Sequence, residues 1–327
     1  MAGTARSPGH RLTRSYTLRR ALTGLVQCGV VLVLVYFLTA LLPGDSVDAV
    51  LSEMTTPEQA ALARHELGLD EPVAVRFGDW AVGLLQGDLG HSLVTGLPVT
   101  QEIRDRLAAT VVLASAALLL VVPLALALGI LTGLRENGRL DRAVNAVVVA
   151  LHAVPEFVLG LLLVAGVSLG AGLLPATAAG LSGAEVLSTP AVLVLPVTVL
   201  VCRQLGDLTR QTRIGVAEQH TGPVARHLRL LGLPERTVVL RHVLPGALAP
   251  AVQQLARCVD GLLGGAVVVE ALFAVGGVGT GFVQAVQDRD LPTVQGYALL
   301  FALTAVVVNF LADIVVHRLT PRRGERA

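Results

Sequence analysis

Apolar residues in this chain come in runs far longer than a globular core needs, and polar blocks separate the runs. Ala21 to Leu42 and Leu107 to Leu134 carry no charge. A third run begins near Ala143 and continues to about Gly172, broken by His152 and Glu156. The fourth is shorter, about Val186 to Leu205, with Pro190, Pro196 and Arg203 near its ends. The fifth, Leu244 to Phe273, holds Arg257, Asp260 and Glu270 and is the weakest by hydropathy. The sixth, Leu291 to Val316, holds Asn309 and Asp313. About 20 apolar residues cross a bilayer core as a helix. The pattern therefore predicts an all-α, polytopic membrane helix bundle of about six transmembrane helices. A cleaved signal peptide is the alternative for the first run. That run is long for such a segment, and Leu41-Leu42-Pro43-Gly44 is not a small-x-small cleavage site.

The polar blocks orient the bundle, because basic residues collect on the cytoplasmic side. Arg11, Arg14, Arg19 and Arg20 precede the first run, and Arg135, Arg139 and Arg142 follow the second. Arg210, Arg213, Arg226, Arg229, Arg236 and Arg241 follow the fourth, and Arg318, Arg322, Arg323 and Arg326 follow the sixth. Alternate loops carry almost none: Pro175 to Glu185 has no basic residue, and Ala274 to Asp290 has Arg289 alone. Both termini are expected to be cytoplasmic. The division is then an N-terminal arm 1–20, a first transmembrane helix 21–42, an extracytoplasmic segment 43–106, a transmembrane core 107–317 and a tail 318–327. A cytoplasmic loop, 216–245, lies within the core. The outer segment holds eleven acidic residues against four Arg. Thr56-Pro57-Glu58-Gln59 reads there as a helix start, Gln101 to Leu107 as another helical stretch, and Gly87-Asp88-Leu89-Gly90 as a turn. So short a segment is expected to pack on the membrane helices or on a partner.

Composition narrows the chemistry. Hydrophobic residues make up 53% of the chain, too much apolar surface for a soluble domain. All 25 basic residues are Arg. A P-loop needs a Lys to reach the nucleotide phosphates, so any ATP hydrolysis belongs to another subunit. No cofactor is expected in the chain itself; any ATP and Mg²⁺ would be bound by another subunit. Cys28, Cys202 and Cys258 lie singly in apolar stretches and read as small hydrophobes.

The cytoplasmic loop carries the most specific pattern. Pro223 suits a first helical turn, and Gly232 suits the left-handed residue that ends a helix. Val224, Leu228 and Leu231 recur at helical spacing as an apolar stripe, with Arg226 and Arg229 off it. Pro234-Glu235-Arg236 starts a second helix toward Leu244-Pro245. The result is an elbow with an apolar knob, suited to a groove on a partner or to a lipid headgroup surface. His220, His227 and His242, in or beside this loop, belong to no site pattern.

Gly232, nine intervening residues, then His242-Val243-Leu244-Pro245 resembles the EAA loop of ABC importer permeases. Several further stretches resemble the dipeptide/oligopeptide/nickel branch of that family. They are Leu41-Leu42-Pro43-Gly44-Asp45, Glu66-Leu67-Gly68-Leu69-Asp70 and Gly87-Asp88-Leu89-Gly90-His91-Ser92-Leu93. So do Gly264-Gly265-Ala266-Val267-Val268-Val269-Glu270 with Phe273 and Gly276-Gly277-Val278-Gly279, and Asp290-Leu291-Pro292-Thr293-Val294-Gln295-Gly296. The resemblance implies a multi-pass plasma (inner) membrane subunit with the ABC importer permease (MetI-like) fold. It also implies the partners: a second permease in a heterodimer, two ABC ATPase subunits, an extracytoplasmic solute-binding protein and membrane lipid, with no nucleic acid. On that resemblance Val224, Arg226, Leu228, Leu231, Gly232, Leu244 and Pro245 form the ATPase-coupling loop. The implied solute is a di- or oligopeptide, with nickel or a metal–ligand complex as the alternative. One departure stands out: where the branch usually has small residues and a Lys before the loop glycine, this chain has Leu228, Leu230 and Leu231.

Polar residues inside the spans are the candidates for pathway or gating, because charge at bilayer depth faces protein or water. Arg257 and Asp260, three apart, can share a helix face and neutralise each other, or line the path. Glu270 can touch solute or binding protein, or cap the glycine-rich turn beside it. Glu156 and His152 flank Pro155; they give two ligands, too few for a metal site, and read as packed polar residues at a proline kink. Asp313 is expected near the cytoplasmic surface. Pro123, Pro155, Pro190 and Pro196 are expected to interrupt long helices, and Gly160, Gly264 and Gly265 to permit close helix approach. No HExxH or paired intramembrane Asp motif suggests a membrane enzyme. No inverted repeat or midplane ion site suggests a secondary transporter.

Overall fold

In the computed structural model, the described residues are 9–40, 70–181 and 183–319, with positions 58 and 65. They are helical throughout, joined by turns and a single isolated bridge between His91 and Pro98. The helices are α1 (Gly9–Ala40), α2 (Val73–Leu85), α3 (Val99–Gly133), α4 (Arg139–Ala153), α5 (Glu156–Leu163), α6 (Gly183–Ser188), α7 (Ala191–Thr221), α8 (Pro223–Leu230), α9 (Glu235–Val238), α10 (Leu244–Phe273), α11 (Val278–Gln287) and α12 (Leu291–Leu319). π-helical turns extend α5 through Val164–Gly170 and join α9 to α10 through Val239–Val243. The expected helix start at Thr56-Pro57-Glu58-Gln59 and most of the stretches 41–45 and 66–70 lie outside the described residues, as does the end of the tail.

Among the described residues four helices are long and apolar enough to cross a membrane: Leu18–Thr39, Val99–Gly133, Ala191–Thr221 and Leu291–Val316. Two bent pairs bring the number to six: Arg139–Ala153 with Glu156–Gly170, and Pro250–Phe273 with Val278–Gln287. The third apolar run is therefore not one straight span. Its halves meet at 98°, at the extended Val154 and at Pro155, whose ring cannot continue a helix. Pro123 and Pro196, by contrast, lie inside continuous helices, so they do not interrupt them. The fourth span runs on to Thr221, well past the apolar run, because its later turns are amphipathic and packed. The second starts at Val99, absorbing Gln101 to Leu107. α2 was not legible from hydropathy; Phe77 and Trp80 on it meet Tyr36 of α1, with ring centroids 5.1 and 5.4 Å apart.

The centre of the bundle is α3 against α7. Ala109, Leu113, Ala117, Val121, Ala125, Gly129 and Gly133 recur every fourth residue of α3, and all are buried. Lipid tails are as apolar as these side chains, so close packing rather than water exclusion holds such a pair. The approach is close: a Cβ at Gly129 would lie 2.8 Å from the Thr209 carbonyl oxygen, and one at Gly133 2.7 Å from that of Arg213. α10 packs antiparallel on the other side of α7. Gly215 meets Ala247, Gly261 meets Gln204, and Gly265 meets Leu200 along it.

The helix ends opposite the 222–243 turn are sewn together by two buried carboxylates, Asp290 and Glu270. Asp290 accepts from Ser92 Oγ (2.5 Å), the Leu93 amide (3.1 Å) and Thr293 Oγ1 (2.8 Å), which joins the 87–93 stretch to the start of α12. Glu270, fully buried, accepts from Thr110 Oγ1 (2.6 Å) and the Thr280 amide (3.1 Å). The turn 276–279 passes directly over this carboxylate. A Cβ at Gly277 would lie 2.2 Å from Glu270 Oε1, and one at Gly279 2.5 Å from Val267 Cα.

Candidate functional site

The elbow between α7 and α10 is built by stereochemistry. Pro223 opens α8, where a missing amide hydrogen costs nothing. At the other end Gly232 has φ +77°, the left-handed conformation. Its amide donates to the Arg229 carbonyl (3.0 Å), and the Leu233 amide donates to that of Leu228 (3.2 Å). Those two bonds make a Schellman terminus, which satisfies carbonyls the helix would leave orphaned. Leu228 and Leu233 pack beneath it on a small core of Val216, Ala225, Val238, Val243 and Ala247, with Ile130 and Leu134 of α3 and Leu244 at the base of α10. Arg229 then clamps the turn: its Nε and Nη2 donate to the Glu235 carboxylate at 2.8 and 2.7 Å, and its Nη1 to the His220 carbonyl at 2.9 Å. That guanidinium, hydrogen-bonded to Glu235, holds the carboxyl below the usual glutamate range. His220, which carried no signal in sequence, lies against both.

The apolar stripe divides. Leu228 turns inward, while Val224 and Leu231 stay exposed with Leu230, the last at 81%. Arg226 is also exposed, and Pro245 lies exposed in the first turn of α10. With Leu240 these residues leave a surface of aliphatic side chains edged by guanidinium groups. The α3–α4 turn supports the same end: Asp141 accepts from Arg213 Nη2 of α7 (2.7 Å), from the Asn137 amide (2.9 Å) and from Asn145 Nδ2 (2.7 Å).

The polar residues inside the spans are arranged differently from their spacing. Arg257 and Asp260 do not form the expected ion pair. Arg257 Nε donates to Gln254 Oε1 (2.8 Å), and Asp260 accepts from Asn309 Nδ2 of α12 (3.0 Å). Gln254 stands three residues before Arg257 as Asp260 stands three after it, so spacing along the helix does not choose between them, and Asn309 on α12 takes Asp260. Glu270 is enclosed in the α10–α11 turn, where Thr110 and Thr280 hold its carboxylate. Glu156 takes a partner that the sequence did not suggest: Arg203 Nε donates to its Oε1 (3.1 Å), and Arg203 Nη1 lies 2.7 Å from His152 Nδ1. One guanidinium on α7 thus bridges both sides of the Pro155 break. Among the described residues no group of three or more metal-ligating side chains gathers. Asp313 pairs with Arg20 of α1. Gly160 and Gly265 do allow close approach, to Leu272 and to Glu156 and Leu200; Gly264 has no neighbour within 4 Å of a Cβ and does not.

Above the elbow, α7 and α10 enclose a cleft of about 490 Å³. Arg203, Asp207, Arg210, Gln211 and Ile214 line it from α7, and Gln254, Arg257 and Gly261 from α10. Only Arg257 of these was a sequence candidate. The signal for the rest was present as polar residues three and four apart from 203 to 210, but they fall beyond the apolar window and resemble an ordinary solvated loop.

Comparison with known proteins places this architecture. Residues 125–325 match the family of binding-protein-dependent transport system inner membrane components. Residues 13–114 match the N-terminal domain of the same membrane components. A putative peptide transport system permease of Brucella abortus (strain 2308) is 32% identical over 305 residues, covering 93% of this chain and 97% of the relative. A glutathione transport system permease of Pectobacterium atrosepticum is 33% identical over 94% of this chain and 98% of the relative. A probable D,D-dipeptide transport system permease of Escherichia coli K12 is 33% identical over 92% and 94%.

Proposed function

This chain belongs to the family of binding-protein-dependent transport system inner membrane components, and we propose that it forms half of an import path for di- or oligopeptides. In this reading a second, related permease completes the path as a heterodimer. Two ABC ATPase subunits drive it from the cytoplasm, and a solute-binding protein delivers the peptide outside. The names of its relatives favour peptide over nickel. Both termini and the elbow face the cytoplasm, on the distribution of Arg.

The observation that carries the coupling is the elbow's construction. Its inner face shares a core with α3, α7 and α10, while Val224, Leu230, Leu231 and Leu240 are exposed among the described residues. A partner groove that takes these residues is joined to the helices of the path without a flexible link. Nucleotide-driven closure of the ATPase pair would then shift the populations of outward- and inward-open states. The chain contributes no hydrolysis and no chemistry on the solute.

The test is Gly232→Glu in the assembled complex. A side chain at φ +77° forces the Schellman terminus apart, and a carboxylate sits in the apolar patch. The chain is expected at normal levels in the membrane, with peptide uptake abolished. Normal uptake with the ATPase still bound refutes the coupling role.

A further inference from the structure

We infer that the cleft between α7 and α10 recognises the carboxylate of the solute in transit, with Arg210 and Arg257 as the residues that read it. This rests on the peptide-import reading and names the chemistry of its inner site.

The first ground is placement. Arg203, Asp207, Arg210 and Ile214 follow one another at helical spacing on α7, as do Gln254, Arg257 and Gly261 on α10. Both helices belong to candidate spans. Charged side chains there face water or protein, not lipid. The contacts of Gly215 with Ala247, Gly261 with Gln204 and Gly265 with Leu200 fix the register, so the two stripes face the same space.

The second ground is charge. Arg203 is already matched by Glu156. Arg257 is held only by the neutral Gln254, and Arg210 has no hydrogen-bond or ion-pair partner among the described residues. Asp207 is the one carboxylate in the lining. Two exposed guanidinium groups therefore stand against one acid. A guanidinium offers paired donors whose geometry matches a carboxylate. Gln204, Gln211 and Gln254 add amides that can meet peptide groups. The volume falls within the range of about 300–1,000 Å³ that holds a small organic ligand.

The third ground is position along the helices. Arg210 is eleven residues from the end of α7 at Thr221, so about 16 Å above the elbow at 1.5 Å per residue. Arg257 is thirteen residues above the start of α10, a similar height. The cleft therefore lies between the coupling surface and the outer half of the path, where a solute released outside must pass before it leaves inside.

The experiment uses the complete complex in proteoliposomes with excess binding protein, saturated with either alanyl-alanine or its C-terminal amide. Arg210→Gln with Arg257→Gln is expected to lower uptake of the free dipeptide by about tenfold, the size of one lost charge-assisted hydrogen bond. Uptake of the amide should fall less than about twofold on the same scale. Lys at both positions should restore part of the difference. Equal loss for both solutes, or no change in either, overturns the inference. Loss of the second permease on co-purification also overturns it, because the guanidinium groups would then be pairing with the partner's acids. A second measurement does not depend on transport: calorimetric titration of N-acetyl-dialanine and its amide onto the solubilised complex without binding protein. Carboxylate-dependent binding that disappears in the double variant supports the site; indistinguishable binding overturns it. A wild-type complex that imports neither solute refutes peptide import, and the titration still decides the cleft.

Discussion

Arg203 of α7 donates to Glu156 at 3.1 Å across a helix break that it also ties to His152 on the far side. Pro155 has no amide hydrogen to continue the first helix, and its carbonyl accepts from the Leu159 amide of the second (3.0 Å), so the Arg203 pair ties the two halves through side chains. Glu156→Gln should cost about 1–3 kcal/mol, as for a part-buried charge left without its partner. The double variant Glu156→Gln with Arg203→Gln should cost less than the two singles together. Thermal unfolding of the solubilised chain, read as a double-mutant cycle, measures this.

The Glu235 carboxyl is held below its usual range by Arg229. A depressed carboxyl contributes stability above its unfolded pKa and loses it as pH falls through the folded pKa. The clamp should therefore stay closed from neutral pH down through the ordinary glutamate range, near 4.3, and open only below it. The pair is exposed, so it is worth less than about 1 kcal/mol. Proteolytic nicking within 221–243 should be flat between pH 7 and pH 5 and rise at lower pH. In Glu235→Gln it should be raised already at pH 7, and the acid dependence should vanish.

Glycines of similar appearance should respond oppositely. Gly129→Ala drives a Cβ to within 2.8 Å of a backbone oxygen on α7, and such overpacking costs about 1–3 kcal/mol. Gly264→Ala meets nothing within 4 Å, and in a helix interior it should be neutral or stabilising by up to about 1 kcal/mol. Melting temperatures of the two variants in the same detergent give the comparison.

Glu270 should tolerate neither neutralisation nor shortening. It accepts from a hydroxyl and an amide inside the fold, so Glu270→Gln turns one acceptor into a donor facing donors. Thr110→Val removes both a donor to Glu270 and the acceptor for the Val278 amide (2.8 Å). Each is expected to cost about 1–3 kcal/mol, read as a lower melting temperature and faster cleavage near 274–280.

How far the sequence reaches is clear from particular stretches. The fifth apolar run coincides with α10, Leu244–Phe273, despite its three charges, and the sixth begins with α12 at Leu291; Ala274 in the left-handed conformation ends α10. The elbow was legible because Pro223 and Gly232 act through their own backbone geometry. The break at Pro155 was legible too, but its 98° angle was not, because hydropathy is blind to direction and such a turn leaves the apolar count unchanged. Nor was the partner choice of Arg257, Asp260 and Glu156. For Asp260 and Glu156 it depended on which helix lies alongside, while Arg257 met Gln254 on its own helix. The cleft was hidden for the same reason: it exists only once two polar stripes far apart in the chain are set in register.

One detail of the elbow governs how force travels. α7 continues to Thr221, α8 begins at Pro223, and Gly222 alone separates them; on the other side α9 passes into α10 with no coil at all. A linkage of this kind has almost no compliance. Under the proposed coupling, a push beneath Leu231 would not be spent in bending a tether but would arrive as displacement of α7 and α10 together, locked at Gly215 and Ala247 like the blades of shears at their rivet.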